Sequence, residues 1–330
     1  MRPHDATLAL AIGTLVAACG GRQAARDGGP GFQRDWSAHP AVFKRTGTAE
    51  IDVLGDLHGD ADVAYRMLTA AGLITAASPV SWTGGTRLLV VPGDVIDKGA
   101  SALPIIDLFM ALEPQARAAG GGVVVTLGNH EAEFLAAPTE AKTAVFQAEL
   151  RDAGIDPGAV AAGATPYGTW LRDLPVAALI DDWFFCHAGD SDGQSVAAIG
   201  KKFEDAVGGL SGYGDDFLVG MGSILEANGW WQKGGDGGSA AAVEENLAAL
   251  PAAHVAFGHD PGALDFPDDT LGTRAKGELA ARYDGRLFLV DVGMSYAVGY
   301  SAGALLRITR GSATSTAVVR SDGSTTALGP

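Results

Sequence analysis

Asp56 and His58 stand two residues apart in Gly55-Asp56-Leu57-His58-Gly59-Asp60. On an extended chain that spacing aims both side chains the same way, a hard carboxylate oxygen beside an imidazole nitrogen, which suits one metal ion. Gly93-Asp94-Val95-Ile96-Asp97-Lys98-Gly99 adds Asp94, whose two oxygens can bridge a pair of metals, and Gly128-Asn129-His130-Glu131 adds the neutral amide oxygen of Asn129. His187 in Cys186-His187-Ala188-Gly189 and His259 in Gly258-His259-Asp260 complete the second metal. Singly these fragments carry little weight, because a lone histidine on a strand is usually a satisfied structural residue. In this order, each directly after an apolar strand, they point to a two-metal centre.

The elements that must position them are legible as apolar runs. Glu50 to Leu54, Arg87 to Val91, Gly122 to Leu127, Trp183 to Cys186 and His254 to Phe257 each end in one motif. The runs are nearly continuous rather than alternating, the pattern of strands covered on both faces. Helices supply the cover: Ala61 to Leu73 and Ala102 to Leu112 carry apolar residues at helical spacing. Strand, motif loop, helix, strand is the order of a layered α/β fold, whose ligands bind at the carboxyl ends of strands. Leu287 to Val319 returns to strand patterns and is expected to complete a second sheet. Residues 189 to 240 are glycine-dense and aperiodic, and read as a lid, a cap or a surface insertion.

The 330 residues, 47% hydrophobic and 19% charged, hold enough apolar material for one large core or two at most. With 39 acidic and 23 basic side chains the net charge is −16, which excludes nucleic acid as an expected partner and disfavours an anionic membrane surface. An anionic substrate then needs local positive charge, which metal ions supply. Arg2 and the short apolar run Ala6 to Ala18 read as a signal peptide, residues 1 to 18. Val16-Ala17-Ala18-Cys19 resembles a bacterial lipobox, with an ordinary secretory signal as the alternative. The lipobox makes Cys19 the lipid-modified residue, and Gly20 after it favours an outer-membrane anchor, hence a periplasmic or cell-surface lipoprotein. Residues 19 to 46 read as a linker, and the catalytic domain as 47 to 320. Cys186 then has no disulfide partner and reads as a buried thiol.

These motifs resemble those of the calcineurin-like metallophosphoesterases, and within them the phosphoprotein phosphatase branch, over about residues 47 to 310. Leu174 to Ile180 ahead of CHAG is similar to the stretch before that branch's histidine motif, and Asp291-Val292-Gly293-Met294-Ser295 is similar to the Shewanella-like bacterial subgroup. The resemblance implies a four-layer αββα sandwich with two central mixed sheets and two divalent metals, Mn, Fe or Zn. It assigns Asp56, His58 and Asp94 to the first metal, and Asp94, Asn129, His187 and His259 to the second. A water shared by metals about 3.5 to 4 Å apart is acidified for in-line attack on phosphorus. His130 is left for proton transfer, with Asp97 orienting its ring, and Asn129 and Lys98 face the phosphate.

Two departures stand out. Lys98 replaces the branch's arginine, a flexible point charge in place of a planar bidentate contact, and the second phosphate-binding arginine has no clear counterpart. Lys233 is the candidate, with Arg172 behind it. The implied activity is a phosphomonoesterase acting on phosphoprotein or a small phosphate ester. The alternatives are a phosphodiesterase or nucleotide hydrolase, and a binding lipoprotein without catalysis. Trp230 and Trp231 form either an aromatic wall or core anchors, Asp265, Asp268 and Asp269 read as a solvated turn, and Asp291 supports the site from behind.

Overall fold

The computed structural model describes residues 32–233 and 238–329. The first half runs β1 (Val42–Arg45), β2 (Glu50–Leu54), α1 (Ala61–Ala70), β3 (Leu88–Val91), α2 (Ala102–Ala118), β4 (Gly122–Val125), α3 (Asn129–Ala136), α4 (Ala144–Asp152), α5 (Pro157–Ala161) and α6 (Pro166–Arg172). The second runs β5 (Ala177–Ile180), β6 (Trp183–Cys186), α7 (Val196–Gly208), α8 (Gly238–Ala248), β7 (His254–Phe257), β8 (Ala280–Arg282), β9 (Leu287–Leu289), β10 (Ala304–Arg310), β11 (Thr314–Arg320) and β12 (Thr325–Leu328). Among the described residues no helix is long and apolar enough to cross a membrane. The signal segment and Cys19 lie outside the described residues.

The uninterrupted apolar runs become strands that are buried end to end, as LLVV of β3 and WFFC of β6 show. They divide between two mixed sheets of the αββα sandwich, one ordered β12-β11-β10-β2-β3-β4 and the other β1-β5-β6-β7-β9-β8. In the first, β2, β3 and β4 run parallel, which is why helices connect them. In the second, β6, β7 and β9 run parallel. Helices α1 and α2 pack on the first sheet, against β11 and β4, and α7 packs on the second beside β1. The Asp60 side chain caps α1 by accepting the Val63 N–H.

The structure revises three sequence expectations. The fold begins before Gly47: β1 pairs in parallel with β5, so residues 32–46 are part of the body and not a linker. Arg34 holds them there, donating to the carbonyls of His39, Pro40, Arg172 and Leu174 with its guanidinium lying over Trp36. The carboxyl-terminal strands are shared between the sheets, β9 joining β7 while β10 pairs antiparallel with β2. The described part of 189–240 is packed structure: α7 buries Val196, Ile199 and Phe203, and Trp230 and Trp231 are core residues, Trp231 stacking on Phe257.

Candidate metal centre

Every motif loop leaves the carboxyl end of a strand, and the loops of the two sheets meet there. Within the first sheet, the Leu57 and His58 N–H groups both donate to the Asp94 carbonyl, at 3.0 and 2.9 Å. Within the second, the Gly258 N–H donates to the His187 carbonyl at 2.9 Å. Across the seam, Asp56 Oδ2 accepts the His259 N–H at 3.0 Å, and His187 Nε2 lies 3.3 Å from Asp94 Oδ2. Glycine is required at two of these approaches. A Cβ on Gly258 would collide with Asp56 Oδ1, and one on Gly128 with Asp94 Oδ1.

The backbone is strained here. His58, Asp94, Asp97, Lys98 and His259 all take positive φ, between 42° and 70°. Such conformations cost about 1 to 3 kcal/mol each and persist only where surroundings over-determine them. Glu131 does much of that holding. Its buried carboxylate accepts the N–H groups of Asp94 (2.9 Å), Val95 (2.8 Å), Ile96 (3.0 Å) and Gly128 (2.9 Å), tying the Asp94 loop to the start of α3. Burial, then the neighbouring Asp94, pushes the Glu131 pKa up, against which these donors work.

Two three-residue groups of donor atoms result: His58, Asp94 and His130, and Asp56, Asp94 and His187, with all donor atoms of a group within 4.8 Å of one another. Asp94 belongs to both. His58 Nε2 is 3.8 Å from Asp56 Oδ2 and 3.7 Å from Asp94 Oδ2. His187 Nδ1 donates to the Pro92 carbonyl at 2.7 Å, which turns Nε2 inward. Around that nitrogen stand Asn129 Oδ1 at 3.0 Å, His259 Nδ1 at 3.3 Å and Asp94 Oδ2 at 3.3 Å. Electron-pair donors pressed this close repel unless a cation sits among them. The residues therefore fit a divalent metal. Asp291 Oδ2, buried without a hydrogen-bond partner, adds to that fit.

The electrostatics agree. Burial alone would raise the Asp94 pKa, but the imidazoles of His187 and His130 hold it well below the usual range. Burial would lower His187, and Asp94 instead lifts it to about 10. Burial takes His58 down to about 3 and, with His187, His259 to about 4, so both are neutral imidazoles ready to donate. Burial and the adjacent Asp291 raise Asp56 well above its ordinary value, and burial lifts Asp291 to about 6. Asp94 thus draws positive charge to His187 Nε2, the place where a metal ion would supply it.

The remaining candidates separate clearly. His130 packs edge-on against His58 with centroids 5.1 Å apart, and its Nδ1 lies 3.2 Å from Asp97 Oδ2. Burial opposes its protonation, but Asp94 and Asp97 outweigh that and raise its pKa. Asp97 is fixed by the N–H groups of Val145 and Phe146 at the start of α4. Lys98 Nζ reaches the centre, 2.9 Å from His58 Nε2. Lys233 Nζ turns instead to Asp190 Oδ2 at 2.7 Å, and Arg172 is engaged by the Ala161 carbonyl and the Phe32 ring. Trp230 donates to the Ala188 carbonyl, a core anchor rather than a wall; Asp269 accepts the Leu271 N–H as a turn residue does, and Asp268 and Asp269 also accept the distant N–H groups of Ser239 and Tyr283. Burial pushes the Cys186 thiol up to about 12, which leaves it inert.

Three supporting residues carried no expectation of a role. Glu131 had one signal, its place three residues after Gly128 at a helix start. Glu133 Oε1 accepts from Asn129 Nδ2 at 3.3 Å and so turns the amide oxygen inward. Arg274 is fully buried, donating to the carbonyls of Asp260, Gly262 and Asp291, and clamps the His259 loop to the end of β9. Asp291, expected only to stand behind the site, contacts Asp56 electrostatically and accepts the Gly293 N–H at 2.8 Å.

Comparison with known proteins adds the family. The model of the calcineurin-like phosphoesterases matches residues 49–263, a stretch that contains all five motifs. The chain belongs to that family. An uncharacterised protein of Schizosaccharomyces pombe is 44% identical over 78 residues, 24% of this chain and 24% of that protein. Shewanella-like protein phosphatase 2 of Arabidopsis thaliana is 40% identical over 78 residues, 24% of this chain and 19% of that protein. The match thus spans about a quarter or less of these relatives. The cold-active protein-tyrosine phosphatase of a psychrophilic Shewanella species superposes with a TM-score of 0.67 at 19% identity, covering 87% of this chain and 83% of that one, which shows a shared fold.

Glu131→Gln tests the scaffolding role. The amide sets an N–H₂ against two of the four N–H donors, which share one carboxylate oxygen, so calorimetric Mn²⁺ titration should show affinity lower by about tenfold to a hundredfold with the fold retained. Unchanged affinity would remove Glu131 from this role.

Proposed function

We propose that this calcineurin-like phosphoesterase is a metal-dependent phosphomonoesterase of the phosphoprotein phosphatase type. The observation that carries the reading is the place of the Asp94 carboxylate, whose Oδ2 lies 3.7 Å from His58 Nε2 on one side and 3.3 Å from His187 Nε2 on the other, so that it would serve both metals. Asp56, His58 and Asp94 would hold the first metal, and Asp94, Asn129, His187 and His259 the second. Mixed carboxylate, imidazole and amide donors suit Mn, Fe or Zn. When bound, the two cations acidify a water and draw off charge from the phosphoryl oxygens.

The chain's own side chains do the rest. His130, whose pKa Asp94 and Asp97 raise against the effect of burial, would donate the proton that the leaving oxygen needs. Asp97 is pinned by the start of α4 and so fixes the imidazole. Lys98 brings an ammonium to the first-metal side, where one flexible charge meets a phosphoryl oxygen without bidentate geometry. With Lys233 committed to Asp190, the phosphate contacts proposed here are Lys98 and Asn129. The donor set is complete, which speaks against a binding protein without catalysis.

The lipobox at Val16 to Cys19 supports a second proposal, a bacterial lipoprotein anchored in the outer membrane through Cys19. Metabolic labelling with a fatty acid should mark the wild-type chain and not Cys19→Ala; label retained on the variant would reject the anchor.

The main test couples metal analysis of the mature protein to a panel of phosphopeptides, p-nitrophenyl phosphate, nucleotides and diesters. Phosphomonoesters should be the best substrates, with activity lost to chelators and restored by Mn, Fe or Zn. His130→Ala should lower kcat by about 10²–10⁴-fold with metal content unchanged. Preferred diester turnover would replace the reading, and metal loss in the variant would make His130 a ligand.

A further inference from the structure

A side-chain amide aims its oxygen one way by finding an acceptor for its N–H₂ on the other. For Asn129 that acceptor is Glu133 Oε1, one helical turn on in α3 and 3.3 Å from Nδ2, while Oδ1 faces His187 Nε2 at 3.0 Å. The contact is long, and Glu133 Oε2 is buried with no hydrogen-bond partner among the described residues. A second group therefore has to hold the carboxylate. Lys142 does so, its Nζ meeting Glu133 Oε1 from the connection between α3 and α4.

Lys142 is held in turn. Its Nζ lies 3.7 Å from Glu226 Oε2, and Glu226 Oε1 accepts the Gly220 N–H at 2.8 Å. The turn from Gly220 to Glu226 is also anchored elsewhere, where Cys186 Sγ donates to the Ile224 carbonyl at 3.4 Å. Cys186 directly precedes His187, so this one turn meets the supports of two proposed second-metal ligands, Asn129 from the first sheet and His187 from the second. An ordinary surface ion pair would contribute little. This one is lopsided: the Glu133 side chain is 11% exposed and that of Lys142 52%. The carboxylate, withdrawn from water, needs its counter-charge, whereas the half-exposed ammonium keeps its hydration.

We propose that Lys142 is a positioning residue for the second metal: braced by Glu226, it fixes Glu133 and through it the inward-facing amide oxygen of Asn129. The inference rests on the two-metal reading above and adds a support that comes from outside the five motifs. The direction of the effect on metal binding separates this role from charge alone. An ammonium near a cation site repels the cation, so its removal, acting through space, tightens binding. Acting through Glu133 and Asn129, its removal loosens binding.

The test is calorimetric Mn²⁺ titration of the mature protein as wild type, Lys142→Met, Lys142→Arg and Asn129→Ala, with thermal melting to check that each is folded. The step that Asn129→Ala weakens most marks the second metal. Lys142→Met should weaken that step by about tenfold and the other by less than about twofold, and Lys142→Arg, which keeps the charge, should recover most of the loss. A second-metal step unchanged or tighter in Lys142→Met, or equal losses in both steps, would overturn the positioning role. A wild type that binds fewer than two ions would overturn the two-metal reading instead.

Discussion

A carboxylate withdrawn from water is stable as an anion only where neighbouring groups replace its hydration, and Asp94 is that carboxylate here. It is buried, it lies between the imidazoles of His58 and His187, and its Oδ1 accepts the His130 N–H at 3.1 Å. His187 comes from the other sheet. The contact that sets the charge of the centre is therefore also one of those that join the sheets, and neither can be altered alone.

The rest of the architecture makes that contact possible. Parallel strands deliver their loops to one end, the glycines at 128 and 258 let backbone approach Asp94 and Asp56, and Glu131 absorbs four N–H groups that would otherwise be orphaned. Positive φ at five site residues is a cost accepted for aiming side chains, and large buried β-strands on either side oppose its release. Arg274 does for the His259 loop what Glu131 does for the Asp94 loop, a buried charge satisfied by backbone groups of the opposite polarity.

Much of this was legible in the residues themselves. The strands from Glu50 and Trp183 and the helix from Ala61 begin where the apolar patterns begin, because continuous burial and helical spacing leave direct marks in composition. The side chains of Asp56, His58, Asp94, Asn129, His187 and His259 stood out because each follows an apolar run, all but His187 directly beside a glycine, and the structure brings them close to one another. What escaped depends on partners distant in sequence. Arg34 and Arg274 look like surface arginines until their carbonyl partners are known, and the packing of Trp230 and Trp231 depends on Phe257. Sheet membership of β9 and β10 escaped for the same reason, since both read as ordinary strands and only pairing separates them. Lys233, chosen by its place in a loop, pairs with Asp190, a partner that its loop does not announce.

Calorimetric titration of Asp94→Asn with Mn²⁺, beside the wild type, tests the shared carboxylate most directly. The wild type should bind two ions per chain, and the variant should lose affinity in both steps by at least about tenfold, because one ligand serves both positions. One step retained at wild-type affinity would contradict the bridge and leave Asp94 the ligand of a single metal.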